Sequence, residues 1–241
     1  MNNSYLLLWF EAILQSWGSD SKFGRRDTQT FPTKSGVLGL VCSALGAGGE
    51  QAELLAEFAA LGQTAISFVR ATQTADGAIK QDREPLLRDF HMVGSGYDDQ
   101  DPWASLLIPK TSDGKRAVGG GTKMTYRYYL QDAAFAVVLE VPADRSDTIA
   151  YALQNPAWDV YLGRKNCVPT DFIYRSTFDS ETAALTQAVL IASKKGRVED
   201  FRVTQGAMAD ADEVFALNDV PVQFGEDKRY RDRQVSLIYA R

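Results

Sequence analysis

Ala134-Phe135-Ala136-Val137-Val138-Leu139-Glu140-Val141 is an eight-residue run whose only charge is Glu140. Its β-branched and aromatic content, and its length, read as a buried strand. A second run, Tyr5-Leu6-Leu7-Leu8-Trp9-Phe10, is stopped by Glu11 and reads the same way near the start of the sequence. Working outward, Ser35 looks like an N-cap for Val37, Leu38, Leu40, Val41, Ala44 and Leu45 at helical spacing, ended by Gly46, Gly48 and Gly49. Residues 51–61 form a second amphipathic pattern. Residues 65–71, 90–93, 201–204 and 235–239 read as further strands. A helix at 146–153, capped by Ser146 or Asp147, stops at Asn155-Pro156, and another spans 180–192. Residues 15–33 form a long polar loop punctuated by Trp17-Gly18, Phe23-Gly24 and Phe31-Pro32. Between Gly94 and Thr125 no period is sustained. The pattern predicts one α+β body carrying an inserted loop or hairpin.

The remaining composition narrows function mainly by exclusion. The chain has 241 residues, 45% hydrophobic and 24% charged, with a net charge of −5. That is ordinary globular composition, not a disordered or disulfide-knit chain. No apolar run approaches the roughly 20 residues of a membrane span, and no basic n-region opens the sequence. Cys42 and Cys167 are far apart, so a reduced, cytoplasmic protein is expected. One histidine, His91, and two scattered cysteines cannot assemble a usual zinc site. No phosphate-loop, nucleophile-elbow or dinucleotide motif is present. No metal or cofactor is therefore expected.

The charge distribution is more informative than its sum. Lys22, Arg25, Arg26 and Lys34 lie in or beside the first long loop. Residues 110–127 hold Lys110, Lys115, Arg116, Lys123 and Arg127 against the single acid Asp113, together with Gly119-Gly120-Gly121 and Tyr126. Arg164 and Lys165 follow Tyr161-Leu162-Gly163. The acids gather at Asp98, Asp99 and Asp101, and again at Asp210, Asp212 and Glu213. Cations to pair with phosphates, glycines that admit the backbone, and aromatics that stack on bases are what single-stranded RNA binding needs. Charge runs are also the ordinary make-up of solvated faces, and the pattern alone leaves both readings open.

Six segments together resemble one family. They are 4–8 (Ser-Tyr-Leu-Leu-Leu) with 14–18 (Leu-Gln-Ser-Trp-Gly), 31–40 (Phe-Pro-Thr-Lys-Ser-Gly-Val-Leu-Gly-Leu), 87–93 (Leu-Arg-Asp-Phe-His-Met-Val), 125–135 (Thr-Tyr-Arg-Tyr-Tyr-Leu-Gln-Asp-Ala-Ala-Phe) and 161–167 (Tyr-Leu-Gly-Arg-Lys-Asn-Cys). In order and spacing they are similar to the fifth-family Cas subunits of the type I-E CRISPR surveillance complex, Cascade, which are RAMP proteins. The resemblance covers about the first 170 residues. It implies a ferredoxin-like (RRM-like) palm, 1–87 plus 129–241, with a small C-terminal β-containing extension and an inserted thumb at 88–128. Residues 101–122 make this thumb longer than in some relatives. It implies a non-catalytic subunit that caps the 5′ handle of the guide RNA (crRNA). Its neighbours would be a CasC-like backbone subunit and a CasA-like large subunit, and it would meet target DNA only through the assembled complex.

On that basis the expected RNA contacts are Arg25, Arg26, Lys34, Ser35, Arg88, His91, Lys123, Tyr126, Arg127, Arg164 and Lys165. Lys34 and Ser35 stand where a loop passes into a helix, whose free N–H groups suit a phosphate; a plain N-cap with a solvated lysine is the other reading. Trp17 is expected to anchor its loop in the core. His91 carries the alternative function, a metal-independent endoribonuclease acting on repeat RNA, because imidazole is the usual base near neutral pH. Phe90 and Met92 are apolar, so in a strand His91 points to the opposite face.

Overall fold

The computed structural model of the chain describes residues 3–18, 24–74, 77–93, 111, 113–115 and 123–240. Lys22, Lys110, Arg116, the glycine run at 119–121 and the acids at 98–101 lie outside the described residues. Ten strands and four helices are described. They are β1 (Ser4–Gln15), β2 (Arg25–Arg26), α1 (Lys34–Leu45), α2 (Ala52–Phe58), β3 (Gln63–Thr74), β4 (Gly77–Lys80), β5 (Leu87–Val93), β6 (Lys123–Val141), α3 (Ala143–Gln154), β7 (Tyr174–Phe178), α4 (Glu181–Lys194), β8 (Arg197–Gln205), β9 (Glu213–Gln223) and β10 (Arg229–Tyr239). The main sheet runs β7-β1-β6-β3-β8-β10-β9, and its neighbours are antiparallel. β2, β4 and β5 attach at its margins.

The two apolar runs are the centre of this sheet. β1 and β6 pair from Ser4 opposite Val141 to Gln15 opposite Leu130. Leu6, Leu8 and Phe10 face α1 and α3 together with Phe135, Val137 and Leu139. Leu7 and Trp9 face the other way with Ala134, Ala136 and Val138, beneath α4. With period 2 and helices on both faces, all residues of the two runs but Tyr5 and Glu140 are buried, so the runs lose their alternation. Residues 6–10 have no exposed surface. Fully burying one such side chain contributes about 1.5–3 kcal/mol. α4 approaches the sheet through Ala184, Ala188 and Ala192, whose four-residue spacing sets one small-residue stripe against it. The β1–β6 ladder skips Ile13, where Asp132 takes a left-handed φ of 44°. Aspartate tolerates that conformation, and Arg70 (2.7 Å) and Arg197 (3.4 Å) hold its carboxylate.

Several elements differ from the sequence reading. α1 begins two residues earlier, because Thr33, not Ser35, is its N-cap and accepts from the Gly36 amide. α3 starts at Ala143 after Pro142, so Ser146 and Asp147 lie inside it, and Ser146 Oγ donates back to Ala143 O. The polar loop contains β2 and a Trp17–Gln29 bridge. Trp17 is buried against Phe10, as expected. β7 and β9 went unread. β9 has Asn218-Asp219 and Pro221 inside it, and its polar centre is explained by burial of Asp219, which Arg233 clasps with two bonds of 2.7 and 2.9 Å. The C-terminal segment is not an appendage: β8 pairs with β3, so β8, β10 and β9 continue the same sheet.

Candidate nucleic-acid interface

Beyond the body, β6 continues into a three-stranded ribbon. β5 pairs antiparallel with its first half, setting Arg88 opposite Tyr128, Phe90 opposite Tyr126, His91 opposite Thr125 and Val93 opposite Lys123. On the other edge β2 runs parallel, with Arg25 beside Tyr126 and Arg26 beside Arg127, and Tyr126 N donates to Gly24 O at 2.7 Å. Three sequence-distant segments, 25–26, 88–91 and 123–127, thus meet on one element.

Because side chains alternate, the ribbon has two chemically distinct faces. One carries Arg88, Phe90 and Met92 from β5 with Met124, Tyr126 and Tyr128 from β6. The Phe90 and Tyr126 rings lie 5.4 Å apart, both about half exposed. The Arg88 guanidinium stands 5.6 Å from the Tyr126 ring, and that of Arg25 4.8 Å from the Tyr128 ring. This is an open aromatic platform edged by cations, and cation–π contact holds both arginines flat over rings. The reverse face carries Asp89, His91, Thr125 and Arg127. Arg127 Nε donates to Thr125 Oγ1 at 3.2 Å, and His91 Nδ1 is 3.8 Å from Asp89 Oδ2. Among the described residues Arg26, Arg88 and Arg127 have no carboxylate partner, whereas Arg25 is clamped by Asp27 at 2.7 Å. Of Lys123 only the backbone placement is described, at the far end of the ribbon.

Arg164 belongs to the ribbon as a brace. Its guanidinium donates to Tyr128 O (3.0 Å), Arg26 O (2.9 Å) and Asp27 O (3.3 Å), tying β2 to β6, and lies 4.6 Å from the Tyr129 ring. Three of its five N–H donors are taken by carbonyls, which gives it a bracing role that the expectation of a phosphate ligand does not include. Lys165 points elsewhere: it is exposed and shares a depression with Trp158 and Tyr161.

Lys34 and Ser35 are a second correction. Lys34 is fully buried, and its ammonium donates to Leu61 O (2.5 Å) and Ala59 O (3.3 Å). The start of α1 already has its anion: Asp219 accepts from the Lys34 amide at 2.6 Å, and Thr33 Oγ1 takes the Gly36 amide. A phosphate finds neither a free lysine nor an open helix terminus there. Ser35 is half-buried with its hydroxyl 3.4 Å from Thr33 Oγ1. Burial, helped by the neighbouring Arg233 charge, pushes the Lys34 pKa down to about 8 from 10.5. Below pH 8 both folded and unfolded chains carry this proton, and the burial penalty is fully present. Between pH 8 and 10.5 the unfolded chain keeps a proton that the folded chain releases, so stability rises. At 1.36 kcal/mol per unit the gain is about 3 kcal/mol. Denaturant unfolding from pH 7.5 to 10.5 is expected to show wild type gaining this much on Lys34→Met; a constant difference refutes the assignment.

Of the platform residues, Arg88 and Tyr126 are among the expected contacts, whereas Phe90, Met92, Met124 and Tyr128 are not, although the sequence carries a signal for them. Arg88-Phe90-Met92 and Met124-Tyr126-Tyr128 each alternate at period 2. What pairs them face to face is register, which alternation alone does not give.

Three comparisons bear on what this surface serves. The model of the CRISPR-associated protein (Cas_Cas5) family matches residues 5–236. The chain is 31% identical over 180 residues to the CRISPR system Cascade subunit CasD of Escherichia coli strain K12, covering 72% of this chain and 71% of that protein. It also superposes on a chain of a CRISPR RNA-guided surveillance complex, with a TM-score of 0.69, 28% identity, and coverage of 98% and 90% of the two chains. A Cas protein crystal structure gives a TM-score of 0.58 and 25% identity, with coverage of 98% and 94%.

Proposed function

Because the chain belongs to the Cas5 family of CRISPR-associated proteins, we propose that it is the guide-RNA-binding subunit of a type I-E Cascade surveillance complex, gripping the 5′ handle of the crRNA without cutting it. The observation that carries this reading is the convergence of β2, β5 and β6 into one ribbon with stacking rings and unpaired arginines. Bases of the handle stack on Phe90 and Tyr126, with Arg88 and Arg25 supplying charge. Arg26 and Arg127 meet phosphates as the strand passes the ribbon's edge. A stacked base contributes about 1–3 kcal/mol and every base has a π-face, so such a platform tolerates sequence. Net acidity is no obstacle, since distant acids are screened within about 8 Å at physiological salt.

The antiparallel order β7-β1-β6-β3, with α1 and α3 on one face, supports a ferredoxin-like palm at 1–87 and 129–241. The thumb, 88–128, springs from β5 and the start of β6. A CasC-like backbone subunit and a CasA-like large subunit are its protein neighbours in this reading, and target DNA reaches it through them. Free, buried Cys42 and Cys167 fit a cytoplasmic setting, and among the described residues no helix is long and apolar enough to cross a membrane.

Ultraviolet cross-linking of the assembled complex tests the platform. Cross-linked nucleotides are expected on the peptides holding Phe90 and Tyr126; cross-links confined to other segments overturn it. The endoribonuclease alternative would need His91 as a base, and among the described residues the ion-pair partner of its ring is Asp89. Labelled repeat RNA incubated with the protein in EDTA is expected to stay intact. Specific cleavage lost in His91→Ala would reverse the non-catalytic assignment.

A further inference from the structure

The helices cover the two sheet faces unequally. α1, α2 and α3 cover one face. On the other, α4 lies over the sheet through its alanine stripe, and one end of that face stays open beside the helix N-terminus. There Glu140 on β6, Thr64 on β3, Arg202 on β8 and Ile238 on β10 share one face of the sheet, as the pairings Thr64–Val138, Ile66–Arg202 and Arg202–Ile238 require. Glu181 and Leu185 of α4 form one wall and Met208 with Asp210 the other, enclosing a groove of about 710 Å³.

Four carboxylates line it, from Glu140, Glu181, Glu199 and Asp210, against the single cation Arg202. Arg202 is already tied to Glu199 at 2.7 Å. Glu140 accepts from the Gly62 amide and Asn3, and Glu181 from the Thr64 hydroxyl, which fixes both carboxylates in the groove wall. Asp210 is exposed. The Tyr5 phenol, also lining the groove, has its pKa raised by burial and by the charges of Glu140 and Glu181. The floor is partly apolar, through Val138, Leu185 and Ile238.

Glu140 lies thirteen residues along β6 from Arg127, roughly 40 Å at about 3.4 Å per residue. The ribbon and the groove are therefore at opposite ends of one strand, far beyond a Debye length. The cations of the ribbon do not offset the groove's acids at that distance, and the groove's field repels phosphate. We infer that this open sheet face is a protein-docking groove, taking a lysine- or arginine-bearing segment of an adjoining protein subunit. The inference rests on the reading of the chain as a subunit of a surveillance complex. Complementary charge would favour correct seating and encounter rate more than raw affinity.

The test uses the complete complex, assembled with its guide RNA. In the wild type, a zero-length carbodiimide is expected to join Glu181 or Asp210 to a lysine of a neighbouring protein. In the double variant Asp210→Lys, Glu181→Gln, retention of that neighbour during a salt wash is expected to fall at least tenfold, while handle-RNA binding by the chain alone is unchanged. Unchanged retention with no such cross-link overturns the docking groove. Tighter RNA binding by the variant also overturns it, since that marks nucleic acid as the occupant. A wild-type chain that retains no protein neighbour at all refutes instead the assembly reading beneath it.

Discussion

Removing Arg88 and Tyr126 together, as Arg88→Ala with Tyr126→Ala, is expected to weaken 5′-handle binding by about a hundred- to a thousandfold. Two contributions are lost. A charge-assisted hydrogen bond is worth about 1.5–3 kcal/mol, and a stacked base about 1–3 kcal/mol. The two side chains touch, with the guanidinium 5.6 Å from the ring, so their effects are not additive. The combined loss is therefore placed at about 3–4 kcal/mol, near the middle of the range, which gives the stated factor at 1.4 kcal/mol per decade. Both residues are on the open face and neither holds the core, so the melting temperature is expected to stay within a few degrees. The salt dependence adds an independent readout. Each phosphate contact removed flattens the slope of log K against log[salt] by about 0.7 for single strands. The reverse-face pair, Arg26→Ala with Arg127→Ala, should flatten that slope more and remove no stacking. Titration of labelled handle RNA at three salt concentrations separates the two faces. Affinity within twofold of wild type in the first variant removes the platform from the interface.

The sequence made the sheet's centre legible because that centre is governed by short-range chemistry. Residues 6–10 are apolar throughout and residues 134–141 apolar except for Glu140, and no tertiary partner is needed to read them as strands. In the sequence Arg25 and Arg26 belong to one basic segment, Tyr126 and Arg127 to another, and Arg88 is an expected contact only through the family resemblance. What joins them is a parallel two-residue strand and an antiparallel register, both non-local. Lys34 shows the opposite error. A lysine at a helix start reads as solvated or phosphate-bound, because lysine is almost never fully buried without partners. Its partners are the carbonyls of Ala59 and Leu61, more than twenty residues away, and no local pattern marks them. Asp219 misled in the same way: a carboxylate inside β9 spoiled the strand pattern, yet it is the internal anion that closes the α1 terminus. In each case a polar side chain expected at the surface had been recruited inward by a distant part of the chain.

Gly163→Ala is expected to damage stability and RNA binding together, through one loop. Gly163 has φ of +104°, and a Cβ there would lie 1.6 Å from Ser16 O. Neither the backbone angle nor the overlap can be relieved by moving a side chain. The loop must leave β1, breaking the Ser16 N to Leu162 O bond of 3.0 Å. Strained backbone costs about 1–3 kcal/mol and a lost buried hydrogen bond about 1–3 kcal/mol. A total near 3–5 kcal/mol lowers the melting temperature by about 6–20 °C in a chain of this size. The displaced loop carries Arg164 with it, and β2 loses the fork that ties Arg26 and Asp27 to β6. Arg164→Met separates the two effects, since it removes the fork and leaves the loop seated. It is expected to melt within a few degrees of wild type, yet to speed hydrogen exchange at the Tyr126 amide, which bonds to Gly24 O only while β2 is docked. Handle affinity should fall with that protection. If Arg164 acted instead as a direct phosphate ligand, affinity would fall with Tyr126 protection intact, and the brace would be the wrong account of this residue.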